Sequence, residues 1–233
     1  ALDRIRAEAE DAVRQGYSHL ILTDERIGRS FAATPMILAV GGVHAHLVSK
    51  GLRTFTSLIV RSAECLDTHY FACLIGVGAT VVNAYLAQES LADRHERGLF
   101  GEGKLGPCVK SYLDAAHAGL LKIISKMGIS VISSYRGGYN FEAIGLSRAL
   151  AAEFFPGMPS RISGIGLAGI EGKVVKQHAR AYASDAAVLP VGGFYRFRRG
   201  AETHTHSAQT IHMLQEAVGQ DSYNLYKRYS KLV

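Results

Sequence analysis

The chain has no tryptophan, only three cysteines and five prolines, and fewer acidic than basic residues. Cys65, Cys73 and Cys108 form no metal-spaced motif. Cys65 and Cys73 stand eight apart on an expected helix, too far along it to bridge directly, so reduced thiols of a cytoplasmic protein are expected. No uninterrupted apolar span reaches 18 residues and no signal-peptide pattern is visible, which removes a membrane partner from the reading. The shortage of acid leaves a formal charge of +6. That excess is spread along the chain. Its densest group, Arg196, Arg198 and Arg199, is short and has Glu202 close by, so no nucleic-acid partner is expected.

What is abundant is apolar: 48% of the 233 residues are hydrophobic, enough for a real core. The length suits one large α/β domain or one domain with an appendage. The chain opens at Ala1 directly in a helical pattern, with Leu2, Ile5, Ala9, Ala12 and Val13 on one face, from which we expect a piece of something longer.

Strand and helix patterns then alternate. His19 to Asp24 reads as a buried strand ending in a carboxylate. Pro35 opens a helix that stops at Gly51. Thr54 to Val60 and Ala79 to Val82 read as further strands, with a helix over Leu66 to Ile75 between them. Leu105 to Met127 reads as a long helix. This order predicts an α/β fold: an open, mostly parallel, Rossmann-like sheet with helices on both faces, occupying residues 1–155. After Phe155 a turn-rich stretch begins. Helices are expected over Ala168 to Ala183, Ala208 to Val218 and Ser222 to Ser230, and a strand over Val191 to Arg198. Residues 156–233 are therefore expected to be a connection followed by a small C-terminal α+β appendage.

The densest signal lies between Ser125 and Leu146. Ile129 to Ile132 is short, apolar and β-branched, and reads as a strand. Gly137-Gly138 frees the backbone for a tight turn. Asn140 then caps an expected helix carrying Phe141, Ile144 and Leu146. Such turns lie at the sheet edge where α/β proteins bind ligands, so Ser133, Ser134, Tyr135, Arg136, Asn140 and Glu142 form a site or a docking surface.

Other constellations carry two readings each. Gly164-x-Gly166-x-x-Gly169 matches a dinucleotide fingerprint, but no strand precedes it and Asp185 follows only after a helix, so a helix-entry turn fits better. Asp24, at a strand end, either faces a ligand or caps the next turn. His204 and His206, with Glu202 and His212, are a candidate metal cluster or hydrogen-bonded interface histidines. His44 and His46 fall in a helical pattern, where two apart means different faces. Cys65, with Glu64 and His69 near in sequence, is either an activated nucleophile or a buried helix cysteine.

Several long segments together resemble the large subunit of glutamate synthase: Gly42 to Arg53, His69 to Ala79, Asn83 to Ala87, Gly119 to Ser130 continuing to Leu146, Ser160 to Leu167, and Gly200 to His204. The resemblance covers nearly the whole chain. It implies the later part of a Rossmann-type central domain and the lead-in to a flavin domain. In that family glutamine is hydrolysed in an N-terminal amidotransferase domain. Ammonia crosses a tunnel, and the imine formed with 2-oxoglutarate is reduced at the flavin. The implied parent uses FMN and an iron–sulfur cluster; this chain, with Ala1 where the amidotransferase has its cysteine and without a closely spaced cysteine group, is expected to hold no cofactor and no catalytic residue. The implied partners are the remaining large-subunit domains, the small subunit, and a second copy through exposed interdomain surfaces. On this reading Asp24, Ser134, Tyr135, Arg136, Asn140, Glu142 and Arg161 become interface or channel-wall residues. The alternative from the residues alone is a free-standing α/β module in which Arg136 pairs with a carboxylate or phosphate.

Overall fold

The computed structural model describes residues 1–183, 192 and 195–233. They form two compact units, Ala1–Tyr182 and Ala183–Val233. In the first unit α1 (Leu2–Arg14), β1 (His19–Thr23), α2 (Met36–Ser49), β2 (Ser57–Arg61), α3 (Thr68–Gly76) and β3 (Val81–Asn83) alternate. The helices α4 (Tyr85–Glu96), α5 (Leu105–Lys126), the single turn α6 (Ile132–Tyr135), α7 (Arg148–Phe154) and α8 (Leu167–Ala181) follow. The sheet has the order β1-β2-β3 and is parallel throughout, with Ile21 opposite Ile59 and Ile59 opposite Val81. The expected α/β class with a parallel sheet is what the chain forms.

The helix-to-strand links share one device. At the end of α1, α2 and α3, the glycines Gly16, Gly51 and Gly78 take positive φ. Each donates its N–H back to the helix, as Gly51 does to Val48 and Gly78 to Ile75, and the next residue reaches one turn further, Leu52 to Leu47 and Ala79 to Leu74. This closes the orphan carbonyls and turns the chain into the strand. Helix α2 is apolar nearly all round, and accordingly Met36, Leu38, Ala39, Val40, Val43 and Leu47 are all buried. It packs Val43 and Leu47 on Leu58 and Leu20, while Val40, with Phe71 and Leu74 of α3, packs on Val60.

Helices α2 and α3 thus lie over the side of the sheet formed by Leu20, Leu22, Leu58 and Val60. Strands added in one direction through right-handed crossovers put every connecting helix on one side. Helix α1 joins them, with Ala9 and Val13 in the same cluster as Val43 and Leu58. On the opposite side runs the row Ile21, Ile59, Val81, with Ile21 63% and Val81 50% exposed.

Beyond β3 the sequence expectation and the structure part company. Ile129 to Ile132 is not a strand. Gly128 and Ile129 are consumed in closing α5, where Ile129 donates to the Ile124 carbonyl, and the chain then makes the single turn of α6. Ile129 and Tyr135 pack with Ala72, Ile124 and Phe141 instead of extending the sheet. Nor does Asn140 cap a helix. Gly145 has φ +79°, and Ala143, Gly145 and Ser147 donate to the carbonyls of Pro159, Ile162 and Ile165, so the segment pairs with residues 159–165. The glycine fingerprint serves that pairing: a Cβ on Gly164 would sit 1.9 Å from the Gly145 carbonyl oxygen, and Gly166 is the residue before α8. Helix α4 had no sequence expectation, and its apolar pattern is weak, with only Ala87 buried.

The first compact unit therefore runs on to Tyr182, past Phe155, because residues 159–165 pair with residues 143–147 and Ile170 of α8 packs on the main core. In the second unit α9 (Ala208–Gly219) starts with a Ser207/Thr210 capping box, and α10 (Tyr223–Ser230) is capped by Ser222. The turn between them uses Asp221 at φ +48° where the first unit uses glycine. Of the strand expected over Val191 to Arg198, residues 191, 193 and 194 lie outside the described residues, and residues 192 and 195–198 are not in a strand.

Two substitutions on the two sides of the sheet separate its covered and bare faces. Leu47→Ala, at a fully buried position, is expected to lower stability by about 2–5 kcal/mol. Ile21→Ala should cost less than about 1 kcal/mol. Urea unfolding of the two variants measures both; comparable losses would mean that the bare face is covered.

Candidate functional site

Asp24 and Arg136 lie at opposite ends of the sheet. At the carboxyl end of β1, Asp24 is buried. It accepts from Ser62 Oγ at 3.0 Å and from the Ala63 N–H at 3.0 Å. The Tyr85 hydroxyl also bonds to it; burial first, and this bond second, pushes Tyr85 up to about 12. Asp24 thus spends its lone pairs on holding the ends of β1 and β2 together, which is the capping alternative of the sequence reading. Beside it Glu25 pairs with Arg61 at 2.6 Å, and the Arg61 guanidinium lies over the Tyr85 ring. The strand order 1-2-3 contains no reversal, so the described strands form no switch-point crevice of the kind that holds nucleotides.

The amino end of the sheet is different in character. Ser18 and His19, Thr56 and Ser57, and Thr80 stand at the three strand starts and line a cleft of about 510 Å³ with His44, Arg53 and Arg136. Arg53 is its frame. Its Nε donates to His44 Nδ1 at 2.9 Å, Nη1 to the Thr56 carbonyl at 2.5 Å, and Nη2 to the Gly78 carbonyl at 2.8 Å. One guanidinium thereby ties α2, the turn before β2 and the turn before β3.

His44 is clamped between two glycine backbones. A Cβ on Gly78, at φ +121°, would lie 2.3 Å from His44 Nδ1; one on Gly137, at φ +70°, would lie 2.9 Å from Nε2. Gly137 is held there because its N–H donates to the Ile75 carbonyl, and the Tyr139 N–H donates to that of Gly76. The glycine pair of the opening motif thus does turn the chain tightly, around an imidazole at the amino edge of the sheet.

The other sequence candidates disperse around this turn. Tyr135 is fully buried, and its hydroxyl and that of Tyr139 have no hydrogen-bond partner. Burial pushes both phenols up to about 12. Ser134, Arg136 and Asn140 are exposed. Glu142 pairs with Arg161 at 3.5 Å, away from the cleft. Arg53 is not singled out by sequence; no pattern marks it, because its partners are the His44 ring and two backbone carbonyls that only the folded chain brings together.

The remaining chemistry-bearing sets resolve into structural bonds. Glu64 accepts from the Met36 N–H at 2.8 Å and from the Tyr70 hydroxyl, while His69 reaches Cys73 at 3.4 Å rather than Cys65. Burial raises the Cys65 thiol to about 12 and that of Cys73 to about 11, so neither supplies a thiolate at neutral pH. His46 pairs with Glu10 of α1 at 2.6 Å, on a different side of α2 from His44. Among the described residues no group of three His, Cys, Asp or Glu side chains is placed to hold a metal ion, Glu202, His204, His206 and His212 included. No described helix is long and apolar enough to cross a membrane.

With the geometry in place, comparison with known proteins is specific. Residues 1–147 match the family model of the glutamate synthase central domain. The whole chain is 64% identical to the glutamate synthase [NADPH] large chain of Azospirillum brasilense. It is 40% identical over 225 residues to the corresponding chain of Bacillus subtilis, with 96% of this chain covered. It is also 37% identical over 243 residues to the chloroplastic ferredoxin-dependent glutamate synthase of Spinacia oleracea, with 99% covered. The chain spans about 15% of the length of each of these relatives.

The clamp also fixes the charge of His44. Burial, reinforced by the Arg53 and Arg136 cations, lowers it from 6.5 to about 4. Its Nδ1 accepts from Arg53, so the neutral ring carries its proton on Nε2. Between pH 6.5 and 4 the unfolded chain binds a proton at this position and the folded chain does not. The clamp's stability is therefore fully present above pH 6.5 and is lost as pH falls toward 4. Thermal unfolding of the parent chain and of His44→Gln from pH 7 to 4.5 should give a steeper fall in Tm for the parent chain; parallel slopes would refute the clamp.

Proposed function

The chain belongs to the glutamate synthase central-domain family, and from that premise we propose that it is connecting scaffold of a glutamate synthase large chain and performs no chemistry itself. The parent would form two glutamates from glutamine, 2-oxoglutarate and reductant, passing ammonia between a glutaminase and an FMN domain. Residues 1–155 would be central-domain core, and residues 156–233 the connection toward the flavin domain. The FMN and iron–sulfur groups would reside in other domains: the three thiols here are unpaired, burial keeps those of Cys65 and Cys73 protonated, and the described residues offer no cluster of metal ligands. Unpaired thiols also fit a cytoplasmic setting.

The bare face of the sheet carries this reading. Parallel sheets are covered on both faces because their strands are apolar on both. Here Ile21 and Val81 stay largely exposed, and among the described strands β1 is paired on one side only. Those surfaces fit further secondary structure of the same large chain, with a small subunit or a second copy as further partners. The relatives' names add a second support: this segment is similar both in NADPH and in ferredoxin-dependent enzymes. A role common to both is one upstream of the choice of reductant, such as joining domains and enclosing the path between them.

The purified chain should hydrolyse no glutamine and show no flavin absorbance; either activity or bound flavin sinks the proposal. In the complete large chain, Ile21→Lys should disturb the seating of this segment. Glutamate formed per glutamine hydrolysed should fall several-fold while free ammonia rises. An unchanged ratio would mean that this face does not couple the two centres.

A further inference from the structure

We propose that the cleft at the amino end of the sheet is an oxyanion-binding site, in which Arg136 and the His44 Nε2–H receive a carboxylate or phosphate group. Three observations converge on this chemistry.

The first is charge. Arg53 and Arg136 line the same cleft, and neither has a carboxylate partner among the described residues. Arg61 and Arg97 elsewhere in this unit, by contrast, pair with Glu25 and Asp93. In the cleft the two cations meet each other instead: the nearness of Arg136, after burial, lowers Arg53 from its ordinary value. Two like charges held together in a partly buried place cost free energy, which an anion between them removes.

The second is the division of labour between the arginines. Arg53 spends its fork on His44 and on the carbonyls of Thr56 and Gly78, so it is rigid and supplies field rather than contact. The Arg136 side chain makes no hydrogen bond or ion pair among the described residues and is exposed where it lines the cleft, with its five donors open. Its position is nevertheless defined, because Arg136 donates its own N–H to the Ile132 carbonyl and Gly137 is tied to Ile75.

The third is an unspent donor. Because Arg53 occupies Nδ1, the neutral His44 ring presents Nε2–H, and that group has no acceptor in the protein although it is not sealed from solvent. The rest of the lining suits an acceptor-rich ligand: hydroxyls of Thr54, Ser57 and Thr80, and no acidic side chain. A guanidinium, an imidazole N–H and hydroxyls around one opening recognise oxygen anions and offer a cation nothing.

The same chemistry arrives from two sources, a phosphate group or a carboxylate, the latter on a small acid or on an acidic side chain elsewhere in the large chain. Titrating the 233-residue chain with sodium phosphate and, separately, with sodium acetate distinguishes them. Ionic strength is held constant with sodium chloride, and the His44 ring resonances are followed by NMR. A saturable shift is expected with at least one of the two, and the responding anion names the source. In Arg136→Gln the midpoint should rise about tenfold or more. Arg136 is exposed and unbonded, so this variant folds, and its circular dichroism checks that. Arg180→Gln, an exposed position on α8 outside the cleft, should leave the midpoint unchanged. Absence of a saturable shift with either anion overturns the proposal, as does a midpoint indifferent to Arg136→Gln. Neither result bears on the glutaminase or coupling measurements, so the scaffold reading stands or falls separately.

Discussion

The Arg53 guanidinium is the group on which the arrangement of this unit depends. The body of α2, the link from α2 to β2 and the turn after α3 aim a ring nitrogen and two carbonyls at one spot, and one planar fork serves them. Buried backbone acceptors without donors cost about 1–3 kcal/mol each. Lysine offers a single point charge and does not replace a fork with several fixed directions. The consequence reaches further than those turns. By holding His44 at Nδ1, Arg53 sets the imidazole plane against which Gly78 and Gly137 pack, and Gly137 leads the chain into the Tyr139–Phe141 stretch that closes over α3. An interior element that is polar and charged therefore organises a shell that is otherwise apolar.

Winding direction explains why so much apolar surface remains open. A doubly wound sheet covers its second face by reversing strand order. Three strands added in one direction cannot, and the helices after β3 pack elsewhere: α5 runs against α3, and α7 packs Phe154 against the side of α2. Gly41 and Gly42 of α2 make that approach possible, since a Cβ on Gly41 would lie 2.4 Å from the Phe155 ring. The unit thus builds a second layer on the side already covered. The aliphatic row Ile21, Ile59, Val81 is left without a covering layer among the described residues.

The first half of this architecture was legible in the sequence because it is local. Helix α1, the strand from His19, the helix opened by Pro35 and closed at Gly51, and the strand before β2's end all announce themselves through periodicity and glycine stops, within a few residues of their observed limits. The segment from Ser125 to Leu146 was misread because its signals were locally valid and globally overruled. Ile129 to Ile132 has strand composition, yet the closing turn of α5 takes Ile129, and packing on Ala72 and Phe141 takes the rest. Phe141 to Leu146 has helical spacing, yet Gly145 at positive φ and pairing with residues 159–165 draw it out. Asp24 was rightly placed at a strand end, but sequence cannot tell a carboxylate that waits for a ligand from one satisfied by Ser62 and Ala63. The amino-edge cleft is invisible for a related reason: it brings Arg136 to His44 and Arg53 from more than 80 residues away, through a backbone bond from Gly137 to Ile75 that any sequence can make.

That cleft is also where fold and family argue together. In parallel sheets the carboxyl edge ordinarily carries the chemistry, and here that edge is closed upon itself by Asp24, Ser62, Tyr85 and the Glu25–Arg61 pair. The opposite edge keeps a fixed donor and two cations without a counter-charge. A partly buried cation pair without a carboxylate partner among the described residues is a poor device for stability, because it adds repulsion that a neutral residue at position 136 avoids. It is a good device for recognition, because the binding of an anion there relieves strain already present. The proposed roles follow the same asymmetry: apolar row and open edge for packing, cationic cleft for a group that brings negative charge.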